Sequence, residues 1–472
     1  MRAARDLRCL ALVALALFAC TAGSPERARP HLVLVVIDTL RRDHLGSYGY
    51  ARDTSPFIDE LASRGLVFER AVAQAPWTGA SMASLWTSRH PSEVGGIVLP
   101  DEHGVQELGR TPIARLRRGT PTLAEHLRDA GYRTRAFVAN PYAGAALGLL
   151  GGFEQVVERP LDARALVDRA LAQLRSDLAT PGPLFVYLHF RDIHEPVSPP
   201  EPYRSQFPGL DGRARGPEHA RWRFGDAPDP EAPEVQLFRS HKIALYDGAL
   251  RFVDDELRRL SQLLEAAGVG PHTLFAIASD HGEAFWEHAR FEQRVQLDPR
   301  GIGGIGHGHS LFRELLDVPL ILVGPGVPRG RVAIPVRNLD LTPTLLGLAG
   351  ARPLPDMRGN DLVRALAEQR LVPQPAFSEN IAYGPEARSL TGERYKLVRY
   401  LATREGPNEI WLDRLADPDE RPQAHLDDRE TERRLRAELD AIEAELASPA
   451  APEPAVLDPE REAALRALGY GQ

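Results

Sequence analysis

The sequence predicts an α/β fold, a mainly parallel central sheet flanked by helices, with a small C-terminal α+β subdomain. Three observations predict it. Five apolar runs are near-continuous rather than alternating, as strands buried on both faces must be. Amphipathic segments with cap signals separate them, and strand–helix alternation marks a parallel sheet. Polar residues close several of the runs, where open α/β sheets hold their ligands.

The first run, HLVLVVID (31–38), ends in Asp38. After it, TSPFIDELASRG opens with Thr-Ser-Pro and stops at Gly65, and TPTLAEHLRDAG opens with Thr-Pro and stops at Gly131, both helix signatures. The remaining runs are TRAFVAN (134–140), PLFVYLHF (183–190), HTLFAIASDHG (272–282) and DVPLILVGPG (317–326). The segment HKIALYDGALRFVDDELRRLSQLLEAAG places Tyr246, Leu250, Val253, Leu257, Leu260 and Leu264 on one helical stripe. Before it, 196–233 is rich in Pro, Arg, Gly and Glu without periodicity, a long surface excursion near the strand ends. Beyond Pro373, RYKLVRYL and NEIWLDRL predict a small antiparallel sheet, followed by a charged helix from Arg429 to Leu446. The organisation is a leader (1–19), a spacer (20–30), the main α/β unit (31–372), the subdomain (373–446), and a Pro/Ala linker with a terminal helix (447–472).

A net charge of −8 without long basic runs excludes nucleic acid as the main partner. The two cysteines, Cys9 and Cys20, both lie in the leader region. There Arg2, Arg5 and Arg8 precede an apolar stretch, 9–19, shorter than the ~20 residues a membrane span needs. It reads as a secretory signal. Its end, LFAC, resembles the bacterial lipobox, which would lipidate Cys20 and anchor the chain to the periplasmic face of a membrane. Ordinary cleavage after Ala19 or Ala22 is the alternative. With no later cysteine, the mature chain has no intramolecular disulfide.

Polar residues at the strand ends are Asp38, Asn140, His189 with His194, and Asp280 with His281. The stretch PWTGASMASLWTSRH adds Thr78 at the mouth of a helix of small residues. Its hydroxyl has two readings: an N-cap, or a nucleophile aimed at an anion held by the free N–H groups of the first turn.

Three segments together resemble the sulfatase branch of the alkaline phosphatase superfamily: VIDTLRRDHLGSYGYARDTSPFIDELASRGLVFERAVAQAPWTGASMASLWTSRHP, ASDHGEAFWEH and GHGHSLFRELLDVPLILVGPG. HFRDIHEPVSPP and GERYKLVRY with EIWLDRLADPDE look like further counterparts, so the resemblance runs from His31 to Asp419. It implies an alkaline phosphatase-like fold and a divalent metal held by Asp38, Asp280 and His281, with Thr78 completing the shell. Such donors suit Mg²⁺, Ca²⁺ or Mn²⁺, with Zn²⁺ for a two-metal site. It also implies that His194 protonates a leaving oxygen, and that His307 or His309 of GHGHS lies near the substrate or a second metal. Asn140 and His288 are weaker candidates.

The chain departs from the family in three places. Thr39 stands where many sulfatases have a second Asp ligand, and Ala80 and Met82 stand at the signature's Pro and Arg, while Ser81 matches its Ser. Thr78 occupies the position oxidised to formylglycine, which threonine cannot become. A Thr-phosphate can be cleared by in-line water attack, whereas a Thr-sulfate lacks the collapse open to a formylglycine hydrate. The implied activity is hydrolysis of phosphate or sulfate esters of a small molecule, glycan or lipid. Two alternatives are a non-catalytic binding protein of the same fold, and a phosphoryl transferase acting on lipid or glycan.

Overall fold

Residues His31–Ile37 form β1 in the middle of the main sheet, paired in parallel on both edges, so the run tolerates no polar interruption. The computed structural model describes residues 29–103, 105–210, 229–295, 298, 300, 304–401, 408–417, 419–446, 452–455 and 459. Cys20 with the leader, the middle of the 196–233 excursion, and nearly all of 447–472 lie outside the described residues.

The sheet also contains β2 (Leu66–Val72), β3 (Arg133–Val138), β4 (Gln155–Glu158), β5 (Leu184–Phe190), β6 (Thr273–Ala278), β7 (Asp317–Val323), β8 (Gly330–Val332) and β9 (Val336–Arg337). Their order is β8-β2-β7-β6-β1-β5-β3-β4, with β9 beside β2. β7 runs antiparallel to β6 and β2, and the other pairings are parallel. β2 and β4 are not among the five runs read from sequence. Glu69 and Arg70 interrupt β2, and β4 is a four-residue, half-exposed edge strand.

Alternate residues of the central strands feed two cores. Leu32, Leu34, Val36, Phe185, Tyr187 and Ala276 face one, and Val33, Val35, Ile37, Val186, Leu188 and Ile277 face the other. The covering helices are α1 (Pro56–Arg64), α2 (Thr78–Thr87), α3 (Leu123–Asp129), α4 (Ala163–Asp177), α5 (Pro233–Ala266) and α6 (Leu341–Ala349). Buried residues of α2, α3 and α6 join the first core, and those of α1, α4 and α5 the second. α5 begins about two turns before the segment read from sequence, which opens at His241, because Val235 and Phe238 pack on Trp286 and Ile305.

The C-terminal strands β10 (Ala376–Ser378), β11 (Ala387–Thr391), β12 (Tyr395–Tyr400) and β13 (Glu409–Asp413) form an antiparallel sheet in that order. Helix α7 (Arg429–Leu446) buries Leu435, Leu439 and Leu446 with Trp411 and Leu397 of that sheet. No helix among the described residues is long and apolar enough to cross a membrane.

Candidate active site

Because β1, β3, β5 and β6 are parallel, their carboxyl ends meet on one edge of the sheet. Asp38 follows β1, Asn140 follows β3, His189 lies near the end of β5, and Asp280 with His281 follow β6. Ligand atoms of Asp38, Asp280 and His281 all lie within 4.8 Å of one another, and all three residues are buried. His281 Nε2 is 3.5 Å from Asp38 Oδ1 and 3.6 Å from Asp280 Oδ2.

Thr78 is the first residue of α2. The N-cap is Trp77, and no side chain caps this helix, so the Thr78 hydroxyl is not an N-cap. Instead Oγ1 lies 3.3 Å from His281 Nε2 and 3.5 Å from Asp38 Oδ1. α2 reaches so deep because six of its first seven residues are small, and all ten of its residues are buried. A Cβ on Gly79 would meet the Trp77 ring at 2.5 Å. Ser81 Oγ donates to Asp280 O at 2.5 Å, tying the helix to the ligand loop.

Asn140 does two things. Its Oδ1 accepts from Tyr142 N at 2.9 Å, a local cap, while its Nδ2 donates to Asp38 Oδ2 at 2.5 Å and lies 3.2 Å from Thr78 Oγ1. Thr39 contributes backbone where many sulfatases have a carboxylate: its N donates to Asp280 Oδ1 at 3.3 Å, from a left-handed φ of 61°.

The donor set fits a divalent cation on its own geometry. Asp280 Oδ2 is buried with no hydrogen-bond partner, an expensive state for a lone carboxylate oxygen. Its nearest neighbours are imidazoles, His189 Nε2 and His281 Nε2, each at 3.6 Å. Burial alone would raise the Asp280 carboxyl, but His281 and His189 outweigh it and hold it below the ordinary range. Two carboxylates, an imidazole and a hydroxyl are hard-to-borderline donors.

The structure separates the two histidines of GHGHS. The His307 ring is 4.5 Å from that of His281 and 4.8 Å from that of His194, and its Nδ1 is 3.4 Å from both Glu283 carboxylate oxygens. His309 faces a different partner: its Nε2 lies 3.1 Å from Glu292 Oε2. The reason is Gly308, at φ +80°, which turns the chain between them. Its carbonyl accepts from Ala382 N at 2.6 Å and Tyr383 N at 2.8 Å, so the C-terminal segment fixes that turn. The same segment holds Trp77, whose Nε1 donates to Asn380 O and Oδ1 at 3.0 Å each. His288 also lies apart, paired with Glu314 at 2.7 Å and stacked on Phe312.

Burial pushes the His194 imidazole down to about 3, against the pull of Asp38, and its Nδ1 meets Glu195 O at 2.6 Å. Burial also drives His307 well down, His281 adding to it. Glu283 is pushed up to about 8 by burial and by Glu195. Sequence reasoning did not single out Glu283 as a site residue and noted His189 only as a strand end; the signal for Glu283 was its place directly after Asp-His-Gly.

The sulfatase family profile matches residues 30–351. The chain is 23% identical to a delta 4,5-hexuronate-2-O-sulfatase of Bacteroides thetaiotaomicron, over 85% of this chain and 86% of that protein. It is 24% identical to the N-acetylgalactosamine-6-sulfatase of Rattus norvegicus, over 79% and 72%. Among solved structures, the phosphonate monoester hydrolase of Agrobacterium radiobacter shares the fold, with a TM-score of 0.64, 21% identity, and coverage of 89% of this chain and 96% of that one.

Proposed function

The chain belongs to the sulfatase family of ester hydrolases, and from that membership we propose that it is an exported, metal-dependent hydrolase of phosphate or sulfate esters with Thr78 as nucleophile. One observation carries the proposal: the Thr78 hydroxyl caps nothing and lies 3.3 Å from His281 Nε2 and 3.5 Å from Asp38 Oδ1.

Asp38, Asp280 and His281 would hold one divalent ion, Mg²⁺, Ca²⁺ or Mn²⁺, which would supply positive charge favouring ionisation of the Thr78 hydroxyl. Asn140 fixes Asp38 and approaches Thr78 Oγ1, so the nucleophile and its carboxylate keep one register. The free N–H groups of the first turn of α2 receive the oxygens of the ester anion. The Thr78 hydroxyl gives its proton to solvent, and as its Oγ1 bonds to phosphorus or sulfur the ester oxygen leaves and takes the proton carried by His194. Burial keeps the His194 imidazole neutral in the free protein, and an arriving anion favours its protonated form. Glu283 braces His307 beside His194. Water then cleaves the Thr78 ester, a route open to a phosphoryl more readily than to a sulfuryl group. That favours phosphate-type esters.

The relatives named above act on sulfated saccharides by their names, and one neighbour on phosphonate monoesters. The substrate is accordingly a small-molecule, glycan or lipid ester. Membership of a hydrolase family, with the cluster assembled around Thr78, supports turnover over a binding-only role. The basic, apolar leader and LFAC support export with Cys20 lipidated at the periplasmic face. Cys20→Ala should then release the protein from the membrane fraction; a soluble wild type beginning after Ala22 would refute the anchor.

The test is a turnover panel of nitrophenyl phosphate, phosphodiester, phosphonate and sulfate esters with several divalent ions. Thr78→Ala should lose at least ~3 kcal/mol of transition-state stabilisation, a hundredfold or more, and quenched phosphate-ester turnover should leave a phosphopeptide containing Thr78. Efficient sulfate-ester cleavage by unmodified Thr78, with no phosphate-ester cleavage, would overturn the phosphate preference.

A further inference from the structure

His189 is a buried imidazole that the reaction outlined above does not use. It is 0% exposed, and both ring nitrogens are sealed from solvent without a hydrogen-bond partner among the described residues. Leaving both nitrogens unmatched in the interior costs stability that an apolar residue would spare. The sheet holds the residue there. β5 pairs on both edges, with Val36 of β1 and Val138 of β3 opposite His189, and Ala139 N donates to its carbonyl at 3.0 Å. A strand paired on both edges cannot slip to relieve one side chain.

His189 Nε2 lies 3.6 Å from Asp280 Oδ2, which is likewise buried and unpartnered. The other oxygen of Asp280 is already taken. His281 N donates to Oδ1 at 3.0 Å and Thr39 N at 3.3 Å, with Ser279 Oγ at 3.5 Å. Oδ2 is therefore the oxygen left for a cation, and it lies 3.6 Å from His281 Nε2. The ligand set itself is Asp38, Asp280 and His281; His189 meets that set through Asp280.

Metal-binding side chains keep their aim through hydrogen bonds from the residues around them. Asp38 and His281 already have theirs: Asn140 Nδ2 donates to Asp38 Oδ2 at 2.5 Å, and His281 Nδ1 is 2.9 Å from Gly282 O. For Asp280 Oδ2 the side chain in place is His189, on the strand next to the one that Asn140 follows. With Thr39 offering only backbone to the site, two carboxylates must suffice, and the aim of each counts for more.

We propose that His189 is the positioning residue of Asp280: its Nε2–H donates to Oδ2 and keeps that oxygen turned to the ion. The gap of 3.6 Å is a few tenths of an ångström beyond hydrogen-bond reach, and a small rotation of either side chain closes it. This role rests on the metal site proposed above and adds a residue that holds no metal itself.

The test is calorimetric titration of Mn²⁺ alone into the chelator-treated full chain, comparing wild type with His189→Leu, His189→Asn and His189→Gln. A glutamine amide nitrogen reaches about as far as Nε2, whereas that of asparagine stops near Nδ1. His189→Leu and His189→Asn should bind Mn²⁺ about 10- to 100-fold more weakly, and His189→Gln should stay within about threefold of wild type. Melting in chelator should be alike for the Asn and Gln variants, so that lost affinity is not lost fold. If the Leu variant does not fold, the Asn and Gln pair decides. Wild-type affinity in His189→Asn overturns the proposal, and so does a Gln variant as weak as the Asn one, since packing rather than donation would then matter. A wild type that takes up no divalent ion removes the metal reading and this role with it. Wild-type binding matched by every variant removes this role alone.

Discussion

Around Asp280 the protein buries two carboxylates among imidazoles, with no arginine or lysine within ion-pair distance among the described residues. Around Glu420 it buries carboxylates too, but each faces a cation. Asp317 pairs with Arg42 at 2.9 Å and with Arg414, and Glu420 pairs with Arg414 at 2.7 Å and with Lys396 at 3.4 Å. The second assembly joins the main sheet at β7 to the C-terminal strand β12. Burial costs both assemblies their hydration. The one whose carboxylates all face cations recovers it internally and acts as a joint; the other leaves an oxygen of Asp280 open, the place for a charge from outside. A carboxylate left without a cation, rather than burial of charge, separates a site from a joint.

Asp280→Asn tests the difference most severely. It should cut turnover by on the order of 10⁴-fold, about 5 kcal/mol of barrier, and abolish bound metal measured by elemental analysis. In chelator, however, the variant should melt close to wild type, since the attraction of His281 and His189 that it loses is offset by the burial cost of the charge that has gone. A variant that melts well below wild type in chelator would break the comparison.

Arg414→Ala should do the reverse. Stranding Asp317 and Glu420 should cost about 3–5 kcal/mol of stability, read from denaturant midpoints, with turnover per folded molecule unchanged. His288, whose Nε2 lies 3.2 Å from Glu420 O, sharpens the case through pH. Its folded-state pKa is raised to about 9 from an ordinary 6.5, with Glu314 outweighing burial. Its contribution is therefore fully present below about pH 6.5 and lost as pH rises through about 9. Wild type should lose about 1–3 kcal/mol over that window relative to His288→Gln; parallel stability profiles would remove His288 from the joint. At the small end, Arg364 and Glu368 form an exposed pair at 3.0 Å. Arg364→Ala should change stability by less than ~0.5 kcal/mol, and a larger loss by thermal melting would show that balance matters without burial.

The central strands were legible because a strand buried on both faces must be apolar throughout and must stop abruptly, as β1 does at Asp38 and β6 before Asp280. β2 was not, because Glu69 and Arg70 are half-buried beside Arg331 and Arg42 and break the run. At the site, Asp38, Thr78, Asp280 and His281 announced themselves by residue type and place, and the structure brings them together. Choosing between His307 and His309 lay beyond sequence, since both follow a glycine. What divides them is the Gly308 turn and its bonds to Ala382 and Tyr383, a contact distant along the chain. Glu283 stayed hidden for a similar reason: its partner His307 lies on a separate loop.

Residues 380–383 hold Trp77, the neighbour of Thr78, through Asn380, and hold Gly308, the neighbour of His307, through Ala382 and Tyr383. Translation delivers Thr78 early, His307 much later, and this clasp later still. The two halves of the site are therefore not brought into register until residue 383 has been made. A chain abandoned before residue 380 carries Asp38, Thr78, Asp280 and His281 but lacks the contacts that hold Trp77 and Gly308, and with them the setting of Thr78 against His307.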